Sequence, residues 1–445
     1  MKTSLGMRFS IFLAVLTFIV PVARSATLIV ANTADTGAGS LRQTVVGANS
    51  GDTVIFTNTL SGQIILLTSG QIVLTKNVTI DGSGLAAVVQ INGNHNSRIF
   101  SITNGVTAQL SSLIITNGYA LEDGGGIENN GVLTLNNMTI TGNRVDWHYD
   151  AHGGGIADYN HLTIFNSAII GNVTFANGGG RAGEDSGGGG IAEFGTGVIN
   201  NSTIANNKAL DYTVGHGGGI DNEGVMVLNN STVASNYAEW RYAGVDAEYG
   251  LSLYMTNTIV CGNTADGETT TLYVSDTSAP FFNNISQPFN MFGYGAANSL
   301  YYTNAMLAPP GYYGGATMTM PPLPGSPAND GGSDAVLNFL TTDQRGFARE
   351  YGAHVDIGAV EAQTILATHA PLLAGRLNKN NGAFIITFTN DTGVNQTVWA
   401  TTNLTLPFNQ WSNLLAPVES PMGFFTFIDL QATNNVQRFY RVSSP

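Results

Sequence analysis

The chain has one cysteine in 445 residues, Cys261. A single thiol excludes an internal disulfide framework and any zinc or iron–sulfur site built from clustered cysteines. Proline is scarce too, at 14 residues, and the 55 glycines show no three-residue period, so a collagen-like helix is excluded. Charged residues make up 10% of the chain, against roughly 25% in average usage. Bases are the scarcer sign, 16 Lys and Arg against 30 Asp and Glu, for a net charge of −14. So acidic a chain is poorly suited to gripping a phosphate backbone, which argues against a nucleic-acid partner. What is abundant is apolar content, 43%, and glycine, about one residue in eight. That combination indicates an all-β chain with many tight turns.

The longest apolar run lies at the start. Lys2 and Arg8 precede residues 9–22, and Ala23, Arg24, Ser25 and Ala26 follow. A basic start, a short apolar stretch and small residues at alternate positions make a secretory signal peptide, cut after Ser25. The run is shorter than the ~20 residues a bilayer span needs. The expected location is therefore secreted, extracellular or on the outer cell surface, with no transmembrane segment after cleavage. Loss of Lys2, Arg8 and Arg24 takes the net charge from −14 to −17. Cys261, in the stretch Ile259-Val260-Cys261, is expected to be buried and inert.

An internal repeat runs through the middle. Gly-Gly-Gly-Ile occurs at 124–127, 153–156, 188–191 and 217–220, in steps of 29, 35 and 29. A second column, N-x-x-[IV]-x-x-N, reads Asn137/Ile140/Asn143, Asn166/Ile169/Asn172, Asn201/Ile204/Asn207, Asn230/Val233/Asn236 and Asn257/Val260/Asn263. A worn copy is read at Ser111/Ile114/Asn117. The two columns share their first three steps. Each unit holds three short pieces of period-two alternation, such as 155–157, 161–164 and 166–170, separated by Gly and Asn corners. This is the pattern of a parallel β-helix whose coils stack strand on strand around one apolar core. Asparagines at a fixed corner can form a ladder that satisfies backbone groups. Earlier strand-like pieces at 53–56, 63–67, 71–74, 78–80, 88–91 and 99–102 extend the coil toward the N-terminus. Residues 26–363 then give roughly twelve turns at about 28 residues each.

These residues resemble a known group. The segment from Asn32 to Gln43 with 52–56 resembles the N-terminal cap of secreted bacterial right-handed β-helix proteins. The Gly-Gly-Gly-Ile and Asn-Ser-Thr-Ile repeats are similar to polymorphic outer-membrane-protein arrays. Residues 325–330, 343–346 and 356–361 resemble the closing segment named choice-of-anchor Q. The resemblance covers roughly 27–363 and implies a right-handed parallel coil of the pectate-lyase-like superfamily. It also implies surface or secreted placement, often with adhesion or glycan contact, but no single activity. Asp343, Arg345 and Asp356 are read as structural, an Arg–carboxylate pair locking the last turn.

The repeats stop after Glu361. Alternating runs at 383–388, 397–400, 424–427 and 438–442 read as a small β-sandwich domain over 364–445. The expected fold is thus an all-β right-handed parallel β-helix with this domain appended.

Repeat length varies at one corner only. The segments between the last Asn of a unit and the next triplet are 118–123, 144–152, 173–187, 208–216 and 237–242, read as loops on one edge. Their 45 residues hold 12 charged and 8 aromatic side chains, far above the chain's shares of 10% and 9%. Rings that stack on sugar faces, with charged groups for hydroxyls, make a saccharide surface. The bland alternative is a solvated edge with aromatics packed beneath it. The candidate binding residues are Tyr119, Arg144, Asp146, Trp147, Tyr149, Asp150, Arg181, Lys208, Asp211, Tyr212, Trp240, Arg241 and Tyr242.

The favoured reading is a non-enzymatic, monomeric protein that binds a polysaccharide or cell-surface component through this edge. One alternative is a polysaccharide lyase or glycoside hydrolase, with Arg144 or Lys208 near Asp146, Asp150 and Asp211. Nothing in their spacing singles out a catalytic pair. The other is a structural rod. No cofactor is expected. Calcium at Glu184-Asp185 or Asp221/Glu223 lacks a calcium-loop motif, and solvated turns are favoured there. His148 and His152, four apart in an expected loop, lack metal-ligand spacing, and the histidines are read as surface residues, with no metal site.

Overall fold

A coil begins where a glycine triplet turns the chain. Gly124, Gly153, Gly188 and Gly217 have φ of +69°, +65°, +63° and +55°, the left-handed region that favours glycine. The second and third glycines are needed for a different reason. A Cβ on Gly154 would lie 2.5 Å from the Gly189 carbonyl oxygen, and one on Gly155 would lie 2.6 Å from that of Gly190. Successive coils touch backbone to backbone there, so any side chain is excluded.

The computed structural model describes residues 25–147, 150–176, 186–211, 215–247, 252–266, 272–274, 281–286, 290–291, 296–297, 300–301, 304–363, 372–378, 382–390, 396–419 and 424–443. One coil runs through Ile127–Asn129, Val132–Asn136, Thr139–Thr141, Arg144–Trp147 and Ala151–His152. Each strand pairs in parallel with its equivalent in the next coil, giving parallel sheets of seven, eleven, ten, six and three strands. We number these sheets one to five in that order along the coil. The result is a parallel β-solenoid of about 8 turns.

Inside it, apolar columns follow the register. Phe100, Ile127, Ile156, Ile191, Ile220 and Val245 stack in sheet one. Leu110, Leu135, Ile164, Ile199 and Leu228 stack in sheet two. Ile115, Ile140, Ile169, Ile204, Val233 and Val260 stack in sheet three. All have 0% exposure, and each such side chain is worth roughly 1.5–3 kcal/mol of burial.

The two asparagine columns do different work. Asn137, Asn166, Asn201, Asn230 and Asn257 take φ between 43° and 52° and form the corner between sheets two and three. The other column is the ladder. Nδ2 of Asn143 donates to Oδ1 of Asn172 at 2.9 Å, Asn172 to Asn207 at 3.0 Å, Asn207 to Asn236 at 3.0 Å, and Asn236 to Asn263 at 2.9 Å. The worn copy is in register one residue later than expected, at Ser112, Ile115 and Gly118. The ladder ends there because glycine has no side-chain amide, and only the Gly118 N–H donates to Asn143 Oδ1, at 2.8 Å.

A short helix, Leu41–Gly47, starts at Ser40, whose hydroxyl accepts from the Gln43 N–H. Its Leu41 and Val45 join the first coils' core. Arg42 pairs with Asp35 at 2.7 Å.

The turn count is lower than roughly twelve, in part because residues 304–363 do not coil. They form a strap that packs along the outer face of sheet three. Met320 sits with Ala168, Ile170, Ala205 and Ala234 of that face. Thr317 Oγ1 donates to the Asn166 carbonyl at 3.0 Å, Thr203 Oγ1 to Gln344 Oε1 at 2.6 Å, and Asn201 Nδ2 to the Thr342 carbonyl at 2.7 Å. Asn230 and Asn257 donate to the Asp356 and Ser333 carbonyls at 3.2 and 3.0 Å. The Arg345–Asp343 pair is buried at 2.8 Å, but it braces the strap beside mid-rod coils instead of closing a last turn. Cys261 is buried, and burial pushes its thiol to about 11, so it is inert.

Beyond the strap lies a small antiparallel region. One sheet orders Leu372–Leu377, Phe384–Thr389, Phe424–Asp429 and Val418–Glu419; the other orders Ser412–Leu415, Thr397–Thr401 and Phe439–Ser443. Ile386, Phe388, Val398, Phe425 and Phe427 form their shared core. Among the described residues no helix is long and apolar enough to cross a membrane.

Candidate functional site

The edge read as loops is largely strand. Tyr119–Ala120, Arg144–Trp147, Val173–Ala176, Lys208–Asp211, Tyr237–Ala238 and Thr264–Ala265 form sheet four. Its alternation is real, but the inward column is small: Ala120, Val145, Thr174, Ala209 and Ala238. Sheet five, Ala151–His152, Ser186–Gly187 and Gly215–His216, folds back beside it. Ala120, Val145, Ala151 and Ala176 make a separate apolar layer, with Trp147 packed against it.

Trp147 and Tyr119 both line an open cleft of about 390 Å³ at the start of this edge. Gln71, Asn96, Arg98 and Glu122 supply its polar lining. Arg98 is held rigid. It donates to Gln71 Oε1 at 2.9 Å, the Gly124 carbonyl at 2.9 Å and the Asp123 carbonyl at 2.6 Å, and it pairs with Glu128 at 2.7 Å. Four fixed acceptors leave a planar cation that can donate but cannot act as a base. The sequence reading missed Gln71, Asn96 and Arg98, which lie on earlier coils and become neighbours of Tyr119 only after stacking.

The remaining candidate residues scatter along the edge. Arg144 pairs with Asp146 at 3.2 Å and lies 5.1 Å over the Phe175 ring. Lys208 is exposed, two rungs from Arg144 in the same column. Asp150 is exposed, whereas Asp211 and Tyr242 are buried. Arg241 lies 5.1 Å over Trp240, which is 39% exposed, and 4.9 Å over Tyr242. Tyr149, Arg181, Tyr212, His148, Glu184 and Asp185 lie outside the described residues. Of the catalytic candidates, Arg144 and Asp146 form a pair with one another.

A charged ladder occupies the glycine corner. Asp123, His152, Gly187 and His216 precede successive triplets, and Arg241 pairs in register with His216. Asp221 and Asp246 face them from the outer side of sheet one. His152 Nδ1 lies 3.3 Å from Asp123, and His216 Nδ1 lies 2.9 Å from Asp246 and 3.7 Å from Asp221. His216 is 2% exposed and His152 half-buried, so the surface reading of these two histidines is corrected. So is the solvated-turn reading of Asp221, which is 3% exposed. Burial opposes ionisation of Asp123, but the hydrogen bonds from His152 and Tyr159 hold its carboxyl below the ordinary range. His152 also meets Phe194 edge-on at 5.4 Å, and Phe194 stacks on Tyr159 at 4.9 Å.

A second acidic pair lies inside the coil, where sheet one turns into sheet two. Asp158 and Glu193 share a hydrogen bond at 0% exposure. Burial and then Asp158 push Glu193 to about 10, so one proton stays between the two at neutral pH. Gly197 makes room for the longer Glu193: a Cβ there would lie 2.4 Å from Glu193 Oε2. That pair is sealed in the core and faces no ligand.

Comparison with family models, curated proteins and solved structures finds no match to this chain.

Proposed function

We propose that the protein is an exported, non-enzymatic β-solenoid that binds a polysaccharide or glycan-bearing surface partner at its decorated edge. The reading keeps the architecture that the repeats resemble, a pectate-lyase-like right-handed coil used for surface contact. One observation carries it. Tyr119 and Trp147 line one open cleft together with Arg98, Glu122, Gln71 and Asn96. Rings offer flat apolar faces to sugars, while a fixed guanidinium, a carboxylate and two amides suit ring hydroxyls. Binding is favoured over hydrolysis because, among the described residues, Glu122 is the one carboxylate of that lining, and acid–base cleavage of a glycosidic bond needs two.

The test is a glycan array followed by calorimetry on the best ligand. Tyr119→Ala with Trp147→Ala is expected to weaken binding at least tenfold. Trp240→Ala, exposed farther along the edge, is expected to leave it unchanged. A wild type that binds nothing across acidic and neutral polysaccharides refutes the proposal, as does a double variant with wild-type affinity.

A further inference from the structure

The charged ladder has a gap of a particular kind. In the column Asp123, His152, Gly187, His216, the two imidazoles stand two rungs apart, about 9.6 Å along the stack, with glycine between them. Asp221 reaches into that gap. Its Oδ2 lies 2.1 Å from where a Gly187 Cβ would be, and His216 Cε1 lies 3.1 Å from the same point. Gly187 is thus required by the carboxylate and ring that crowd its place. Ligand atoms of His152, Asp221 and Glu223 lie within 4.8 Å of one another, and so do those of His216, Asp221 and Asp246. Asp221 belongs to both groups and is 3% exposed, and its Oδ2 has no hydrogen-bond partner.

We propose that His152, Asp221 and Glu223 bind a divalent cation of the zinc class at this corner, with His216 beside Asp221 at 3.7 Å. An imidazole with two carboxylates forms a nitrogen–oxygen donor set of the kind that suits zinc and its first-row neighbours. Calcium prefers six to eight oxygens. Each imidazole already has a carboxylate against Nδ1, Asp123 for His152 and Asp246 for His216. A carboxylate on one ring nitrogen is how metal-binding histidines are commonly oriented for the other to coordinate. The site is separate from the cleft and does not depend on the glycan reading.

The test uses the purified protein without a polyhistidine tag, stripped with EDTA and titrated with ZnCl2 by calorimetry. About one zinc per chain is expected, with a higher thermal midpoint than the stripped form. Asp221→Asn, close to isosteric, is expected to weaken zinc at least tenfold. His354→Ala, which removes an exposed histidine paired with Asp334 at 2.9 Å, is expected to change nothing. Should Asp221→Asn fail to fold, His152→Gln carries the same test. No zinc bound by the wild type, full affinity in the folded ligand variant, or calcium bound in place of zinc each overturns the proposal.

Discussion

Asn172→Ala tests whether the buried ladder stabilises the rod or merely marks a corner. The side chain accepts from the Asn143 N–H at 3.0 Å and from Asn143 Nδ2 at 2.9 Å. It donates to the Ile140 carbonyl at 2.9 Å and to Asn207 Oδ1 at 3.0 Å. Alanine removes all four bonds where Asn143 and Asn172 both have 0% exposure. Asn143 Nδ2 keeps the Ile115 carbonyl at 3.1 Å, and Asn207 Oδ1 keeps the Asn172 N–H at 3.0 Å. Two groups, the Asn143 N–H and the Ile140 carbonyl, then lose a partner. For two such groups at roughly 1–3 kcal/mol each, the loss is about 2–6 kcal/mol. The assay is urea unfolding followed by far-UV circular dichroism, because each coil contacts only its neighbours and the defect is local. Asn137→Gly is the control. Its φ of 52° suits glycine, and it should shift stability by less than about 1 kcal/mol. A loss under about 1 kcal/mol for Asn172→Ala refutes the reasoning.

Other consequences are equally open to measurement. Folded Glu193 keeps its proton to about 10, whereas the unfolded side chain releases it near 4.5. The folded state therefore holds more protons between those values, and this group lowers stability as pH rises above about 4.5. Glu193→Gln should remove that dependence, so its advantage over the wild type in unfolding free energy should widen from pH 5 to pH 9; a constant difference refutes the shared proton. Arg349 is fully buried and donates to the Gly358 and Ala359 carbonyls at 3.1 Å each and to Asn201. With three buried acceptors left unmet at roughly 1–3 kcal/mol each, Arg349→Ala should cost roughly 3 kcal/mol or more and open 315–361 to limited proteolysis while the solenoid keeps its dichroism. An unchanged cleavage map would count against the strap's attachment.

The triplets, the asparagines and the Ile-Leu-Val columns were legible because every coil repeats them at a fixed address. Sheet four was harder to see. Its inward residues are Ala, Val and Thr, so alternation there carries little hydrophobic contrast, and its outward Tyr119, Arg144 and Lys208 read as loop. The strap carries no repeat at all. It docks by side-chain to backbone bonds spanning more than 120 residues, such as Asn230 to Asp356, which no local pattern encodes. The histidine corner had a signal that spacing along the chain hides. Once the coils are aligned on their triplets, His152 and His216 fall in one column with Gly187 between them.

The strap also sets an order of events during synthesis. Thr203 meets Gln344, 141 residues further along, and the Ser167 carbonyl meets the same side chain from 177 residues away. At roughly 5–20 residues per second, those partners are made roughly 7–35 s apart. Coils can stack as they emerge, since each needs only its predecessor. Their Ala168, Ala205 and Ala234 face stays bare until the strap arrives. Each new molecule thus passes through a finished rod with one uncovered side, and in that window sticking to other chains competes with closure.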